Sequence, residues 1–369
     1  MTTQVQGAIR RVTVIGTGLM GTSVALAAAR TGTPVRAWDA DPDVLARAAL
    51  GSGLEVAPSL EAAVQGTDLV VVCTPIPTIA PVAAAALTAA PAAIVTDVGS
   101  VSGPVARDVV SRVGPDRSRR FVPGHPMGGS ERSGPEHASP SVVDGIVWVL
   151  SPDGTTDPGA IDVLEGWVAG LGARPVRMPA DRHDRLVAFV SHLPQVASTA
   201  LMDLAATEEA DEPEILLLAA GGFRDLTRLA SSDPQLWSSI LLANRDQIAG
   251  AIELYIERLQ QLRADIAGGR EMDVGSTFAR AKEARLRLAT KPQVKAGVAV
   301  LQVPVPDRPG ALARLTALLA EGGVNIEDLQ IVHSPEGGRG TVHLTVAAEA
   351  GTEALEVLGR GGFDPTRLA

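Results

Sequence analysis

Gly16-Thr17-Gly18-Leu19-Met20-Gly21 follows a short apolar run and opens an alanine-rich one, the setting in which a glycine-rich turn binds a dinucleotide. Glycines there permit a tight turn, close approach of the pyrophosphate and close packing of helix on sheet. The phosphates then meet the positive end of the helix. Asp39 ends the next apolar run, where a carboxylate can bind the ribose hydroxyls and repel a 2′-phosphate, so NAD is expected rather than NADP. Arg36 is close to the same strand end, but a spacing of three residues turns it to the opposite face. Ligands of such sheets bind beyond the carboxyl ends of the strands. Thr74-Pro75, Gly99-Ser100 and Gly124-His125-Pro126 each follow a further apolar run, so two hydroxyls and an imidazole are expected along one rim. Hydride transfer from a carbinol or from a ring carbon that bears a hydroxyl needs a base for the hydroxyl proton, and an imidazole suits neutral pH. His125 is the expected base.

The elements that must hold these residues follow from the pattern of the chain. From Arg11 to about Met178, β-branched runs alternate with helical stretches, which predicts a doubly wound, largely parallel sheet. The predicted strands are Val12 to Ile15, Val35 to Trp38, Leu69 to Val72, Ala93 to Thr96, Arg120 to Val122 and Ile146 to Leu150. Beyond Asp181 the strand signals stop, and amphipathic stretches from His183 to about Leu288 predict a helical domain. Ser191-His192-Leu193-Pro194 and Ser231-Ser232-Asp233-Pro234 both read as helix starts, with a polar cap and proline in the first turn. Helices this apolar need a partner surface, so a homodimer that shares them is expected. After Lys291-Pro292, an alternating run from Val298 to Val305 leads through helix and strand to a hairpin at Gly337-Gly338, then strand and helix. That order predicts a ferredoxin-like βαββαβ module. The expected domains are thus 1–180 for a Rossmann-like nucleotide-binding domain, 181–290 for a helical substrate and dimerisation domain, and 297–369 for the small module.

Composition narrows the partners. A 46% hydrophobic and 20% charged chain of 369 residues is globular and large enough for two or three domains. Its formal net charge of -10, without a dense basic run, argues against nucleic acid or an anionic membrane as the main partner. The single cysteine, Cys73, leaves no intramolecular disulfide to form, and with no signal-peptide pattern at the start a cytoplasmic protein is expected. No metal site is expected.

Four separated motifs carry a family resemblance. Gly124-His125-Pro126-Met127-Gly128-Gly129-Ser130-Glu131, Val190-Ser191-His192-Leu193-Pro194, Gly221-Gly222-Phe223-Arg224-Asp225-Leu226-Thr227-Arg228 and the segment from Ser232-Asp233-Pro234 to Trp237 resemble the signatures of the prephenate/arogenate dehydrogenase family, over roughly residues 10 to 290. The resemblance implies that His125 accepts the ring hydroxyl proton while C4 delivers hydride to NAD and carbon dioxide leaves as the ring aromatises. It implies that Ser100 hydrogen-bonds near the base, and that Arg228 grips a substrate carboxylate, for which a guanidinium fork is suited. The local alternatives are a turn role for Ser100 and a surface ion pair with Asp225 for Arg228. His192 and Gln195 share a helical face at i,i+3. They are expected either at the substrate or as satisfied core polar groups. Many relatives carry histidine where this chain has Gln195, which leaves prephenate and arogenate open as substrates, with prephenate preferred. Glu131 resembles a gating or ion-pairing acid, and Trp237 is expected either in a structural role or reaching the site from the partner subunit.

Asp307-Arg308-Pro309-Gly310-Ala311-Leu312, followed by Gly323-Val324-Asn325-Ile326, resembles the ligand loop of an ACT domain. The resemblance implies an allosteric amino-acid site, with tyrosine the expected effector, phenylalanine the second candidate and a purely dimerising module the alternative. Two rival functions share parts of this pattern. A β-hydroxyacid dehydrogenase uses a lysine in its helical domain, and here the lysines are Lys282, Lys291 and Lys295, all near the linker. A non-catalytic sensor of nucleotide and amino acid has no need of Ser100, His125 and Arg228 together.

Overall fold

The computed structural model describes residues 9–50, 52–128, 134–289, 298–306, 308–333 and 339–368. The chain forms two compact units, one of Met1–Met202 with Leu229–Tyr255 and one of Asp203–Arg228 with Ile256–Ala369.

The first unit is built on β1 (Val12–Ile15), α1 (Leu19–Arg30), β2 (Val35–Trp38), α2 (Pro42–Ala49), β3 (Glu55–Val56), α3 (Leu60–Val64), β4 (Leu69–Val72), α4 (Ile76–Ala89), β5 (Ile94–Asp97), α5 (Gly103–Ser118) and β6 (Phe121–Val122). The six strands are all parallel in the order β3-β2-β1-β4-β5-β6. Helices cover both faces, so the central strands are apolar at nearly every position. Side chains alternate between two cores. Val12, Val14, Leu69 and Val71 face one, while Ile15, Val70, Val72 and Val95 face the other.

The predicted strands at Val12, Val35 and Leu69 hold residue for residue, and those at Ala93 and Arg120 begin one residue later. The sixth is a correction. Its residues form β8 (Val147–Leu150), which lies in a separate sheet with β7 (Gly124–Pro126) and, beyond α6 (Pro158–Gly170), β9 (Arg174–Arg177). Its antiparallel partner is the segment that carries His125, paired with Val149. A predicted loop histidine is therefore a strand residue with a fixed backbone.

A second correction concerns Ser191. α7 (Ala180–Val187), a π turn at Ala188–His192 and α8 (Leu193–Glu208) form one uninterrupted helical run. Pro194 has no N–H to give to the carbonyl four residues back, and its ring crowds that carbonyl. The turn ahead of it widens, and the Leu193 N–H bonds Ala188 O, five residues back. α9 (Glu214–Leu217), α10 (Gly221–Thr227), α11 (Pro234–Ala243), α12 (Arg245–Ala267) and α13 (Glu271–Ala289) complete the helical part. The predicted start of α11 holds. Asp233 caps it by accepting the Leu236 N–H at 2.7 Å, with Pro234 in the first turn. Ala188, Ile248 and Ala251 form a small core with Leu193, Leu241 and Ile252.

The second unit ends in β10 (Val298–Pro306), α14 (Ala311–Glu321), β11 (Asp328–His333), β12 (Arg339–Ala347), α15 (Gly351–Arg360) and β13 (Thr366–Arg367). This is the predicted βαββαβ order, with an antiparallel sheet ordered β11-β12-β10-β13. Alternate residues of β10, Ala299, Leu301, Val303 and Val305, are buried with Leu315, Leu319 and Leu358 of the helices. The predicted hairpin glycines Gly337 and Gly338, the linker at Lys291 and Lys295, and the site candidates Glu131 and Asp307 lie outside the described residues. Among the described residues no helix is long and apolar enough to cross a membrane.

Candidate active site

The glycine-rich turn joins β1 to α1. Gly16 has φ +91°, and a Cβ there would stand 2.6 Å from Cys73 O, while a Cβ on Gly21 would stand 1.8 Å from Gly16 O. Both positions therefore exclude any side chain. Gly18 has open space where a Cβ would go, which leaves its backbone approachable, and Leu19 and Met20 are half-buried in the first turn of α1. Asp39 Oδ2 accepts the Thr17 N–H at 2.5 Å and the Thr17 hydroxyl at 3.0 Å, so the acid and the glycine turn are held as one unit. The remaining lone pairs of a carboxylate still serve a ribose. Arg36 turns away, as its spacing predicts, to Glu55 at 2.9 Å and to the carbonyls of Ala62 and Gln65. Thr74 Oγ1 is buried without a hydrogen-bond partner among the described residues, next to the exposed Pro75 that precedes α4. Gly21→Ala should abolish dinucleotide binding, because the added methyl displaces the turn itself. Quenching of protein fluorescence on titration with NADH checks this, and binding within about threefold of the parent would overturn the assignment of the turn.

Around His125 the side chains form a connected polar chain. His125 Nδ1 lies 2.8 Å from His183 Nε2, and the rings meet edge to face. His183 Nδ1 lies 2.8 Å from Asp184 Oδ1 and 3.2 Å from Ser102 Oγ. Asp184 also accepts the backbone N–H of Ser102 at Oδ1 and that of Gly103 at Oδ2, each at 2.8 Å. These contacts fix the tautomers in sequence. Because Asp184 accepts, His183 carries its proton on Nδ1. His183 Nε2 is then an acceptor, and His125 must donate from Nδ1. The Nε2 lone pair of His125 has no hydrogen-bond partner among the described residues. Burial, then the neighbouring His183 and His192, push the His125 pKa down to about 3, so the ring is neutral at physiological pH.

A second arm reaches the same place. His192 is fully buried, and its Nδ1 is 3.2 Å from Asn244 Nδ2, which also donates to the Asp184 backbone carbonyl at 2.8 Å. Acceptance at Nδ1 puts the His192 proton on Nε2, which has no partner among the described residues. Burial lowers its pKa to about 4, against the pull of Asp184. Trp237 of the same chain packs edge-on against His192, with centroids 6.1 Å apart. Gln195, 4% exposed, donates to Leu229 O at 2.8 Å and lies 3.4 Å from the Ser232 hydroxyl.

The structure thus brings together His125 and His192, with Trp237 against the latter. Gln195 has both ends of its amide engaged by the protein. Ser100 is half-buried and makes no side-chain hydrogen bond among the described residues, whereas Ser102, two residues on, reaches His183. Arg228 is exposed at the end of α10 and belongs to the second unit. His183, Asp184, Ser102 and Asn244 are the residues that sequence reasoning missed. A signal existed in Asp181-Arg182-His183-Asp184, where two titratable residues stand four and three positions before Val187.

In the small module, Arg308, Ala311 and Leu312 line a hollow of about 70 Å3 with Val305, Pro306 and Ile331. Arg308 also borders a larger one of about 360 Å3 with Arg314, Phe363 and Asp364. Gly310, exposed like Pro309, holds φ +86° at the start of α14. Asn325 is turned to Glu327 at 2.6 Å and lines neither hollow.

Three family models match the chain in succession: the nucleotide-binding domain of prephenate dehydrogenase over residues 24–177, its dimerization domain over 179–280 and the ACT domain over 299–359. A prephenate dehydrogenase of Bacillus subtilis is 33% identical over 258 residues, 69% of each chain. A cyclohexadienyl dehydrogenase of Zymomonas mobilis is 32% identical over 294 residues, 78% of this chain and 98% of the relative. Among solved structures, prephenate dehydrogenase from Aquifex aeolicus in complex with hydroxyphenyl propionate and NAD+ superposes with a TM-score of 0.71 at 28% identity, covering 76% of this chain and 99% of that one.

Proposed function

The chain belongs to the prephenate dehydrogenase family, and we infer that it is an NAD-dependent enzyme that oxidatively decarboxylates prephenate to 4-hydroxyphenylpyruvate. The observation that carries this reading is the orientation of His125, whose Nδ1 is tied to His183 at 2.8 Å and whose Nε2 has no hydrogen-bond partner among the described residues, on the strand β7 that lies against β5 of the sheet that holds the glycine turn. NAD, when bound, accepts the hydride. The fit of the residues to it rests on the two glycines that tolerate no Cβ and on Asp39 locked to Thr17.

The protein's own part is positioning and one proton transfer. His125 Nε2 takes the ring hydroxyl proton as the carboxylate leaves and the ring becomes aromatic. The resulting positive charge is shared through the Nδ1–H to His183 and on to Asp184, so it is never isolated in the buried site. His192 offers an Nε2–H donor that has no hydrogen-bond partner among the described residues. Its role is to bind a substrate oxygen. Arg228 is assigned to a substrate carboxylate and Ser100 to the substrate hydroxyl, on family resemblance. Glu131 keeps the gating or ion-pairing role that the same resemblance gives it. Gln195 and Trp237 are assigned to holding the wall of the site. The working division of the chain is 1–180, 181–290 and 297–369, close to the spans of the three family models.

Formation of NADH with prephenate and with arogenate at equal concentration tests the reading. Turnover of prephenate well above that of arogenate is expected. Arogenate alone as substrate would move the assignment to arogenate dehydrogenase, with base and cofactor unchanged.

The active protein is proposed to be a homodimer. Leu217, Leu218, Leu226, Ile266, Met272 and Phe278 of the second unit's helices are each more than 60% exposed, a surface that needs a cover. The ACT module is proposed to bind tyrosine at the loop around Arg308 and Gly310, whose cation suits a carboxylate. Tyrosine is expected to raise the KM for prephenate and the melting temperature together. If it changes neither, the module serves assembly alone.

A further inference from the structure

Asp97 ends β5 and is 1% exposed, yet the reaction as described makes no use of it. Its Oδ1 accepts the Gly99 N–H at 2.7 Å, and the Gly124 N–H also favours its ionised form. Its backbone lies directly beneath the strand of the base. A Cβ on Gly124 would stand 2.6 Å from Asp97 O, 2.7 Å from Thr96 Oγ1 and 3.0 Å from Trp148 Nε1. A Cβ on Gly99 would stand 2.9 Å from Asp97 Oδ1 and 2.8 Å from Ile79 Cδ1. The carboxyl group therefore sits where two glycine-led segments converge, one carrying Ser100 and Ser102, the other carrying His125. Oδ2 is buried without a hydrogen-bond partner among the described residues.

We infer that Asp97 is a positioning residue for the dehydrogenation: its buried carboxyl group ties the Gly99–Ser102 loop to the Gly124–His125 strand, and so sets His125 against His183 and the substrate. The inference rests on the reading of His125 as the base. The charged or titratable groups that face Asp97 are Asp184 from α7 and Cys73 from the end of β4. Burial dominates and Asp184 adds repulsion, together raising the Asp97 pKa to about 8 against the two backbone N–H groups. The Cys73 thiol is itself pushed up by burial and by Asp97, so it stays protonated through this range. His125 and His192 titrate far below it. Ionisation of Asp97 strengthens the two N–H bonds but places a second charge beside Asp184 in a buried site, and that repulsion shifts the carboxylate together with the segments it ties. The folded pKa is raised, so the ordered form is complete at acidic and neutral pH and is lost as pH rises through about 8.

The experiment is the pH profile of kcat with prephenate for the full-length enzyme, for Asp97→Asn and for Asp97→Ala. Asparagine keeps an acceptor for the two N–H groups and cannot ionise. Asp97→Asn should retain kcat at neutral pH to within about threefold and lose the fall in kcat centred near pH 8 that the parent shows. Asp97→Ala should lower kcat by about tenfold or more with little change in KM. A profile for Asp97→Asn that keeps the parent's alkaline fall, or an alanine variant with the parent's kcat, overturns the inference. If the parent does not turn over prephenate at all, the reading of the base fails instead, which separates the two.

Discussion

His125→Asn should lower kcat with prephenate by about three orders of magnitude, within the range that one positioned base supplies. KM and melting temperature should change little, because asparagine fills much of the ring's volume and can still donate to His183 Nε2. The pH dependence carries a second test of the same residue. A base works in its neutral form, and burial with two neighbouring histidines holds His125 neutral down to about pH 3. The acid limb of kcat/KM in the free enzyme should therefore not fall near the ordinary histidine pKa of ~6.5. Activity should persist through pH 5 until the fold itself gives way. The fold is expected to be acid-sensitive for the same reason. Below about pH 6.5 the unfolded chain binds a proton at this position and the folded one does not, so stability declines as pH falls toward 3. His192, lowered to about 4, adds to the decline. Melting temperature measured from pH 7 to 4 should fall steeply in the parent and less steeply in His125→Asn. A variant with the parent's kcat removes His125 from the reaction.

The glycine turn, Asp39 and His125 were legible in the sequence because each announces itself locally. Gly16, Gly18 and Gly21 stand between a strand pattern and a helix pattern, and the structure shows the first and third admit nothing larger. His125 follows an apolar run, and the family motif around it is dense. The parallel strands were equally legible, since unbroken apolar runs such as Leu69–Val72 are what burial on both faces demands. What escaped was set by geometry that spacing does not encode. β9 is Arg174-Pro175-Val176-Arg177, in which Val176 alone favours a strand. His183 and His192 are nine residues apart, which in a regular helix is roughly two and a half turns and hence opposite faces. The π turn at Ala188–His192 changes that phase and lets both serve one site. Ser102 was hidden by its neighbour Ser100, the residue that the family motif points to. The choice between them depends on which hydroxyl the Gly99–Gly103 loop turns toward His183, a matter of a tether, Asp97 Oδ1 to Gly99 N–H, that acts across the backbone.

The relay behind the base is exposed to a sharper test, Asp184→Asn. Three donors converge on the two oxygens of Asp184: the N–H groups of Ser102 and Gly103 and the Nδ1–H of His183. An amide has one acceptor atom, so at least one of the three meets another donor or goes unpaired, at a cost of about 1–3 kcal/mol in a buried site. Each oxygen of Asp184 meets one backbone N–H, so either orientation of the amide opposes one of them; with the NH2 group in the place of Oδ1 it also meets His183 Nδ1, which can move its proton while a backbone N–H cannot. His183 then accepts at Nδ1 from the asparagine and carries its proton on Nε2, facing His125 Nδ1. His125 must accept there, which places its own proton on Nε2 and removes the lone pair that takes the substrate proton. A conservative change one residue beyond His183 thus disables a base that it never touches. The expected result is a loss of kcat by about 10²- to 10⁴-fold with KM for prephenate nearly unchanged. Nitrogen NMR of the ring-labelled enzyme should show His125 switching from the Nδ1–H to the Nε2–H tautomer, a change that loosened packing alone does not produce. Full activity in Asp184→Asn, or an unswitched His125 in an inactive variant, would show that the dyad holds the fold rather than the tautomer.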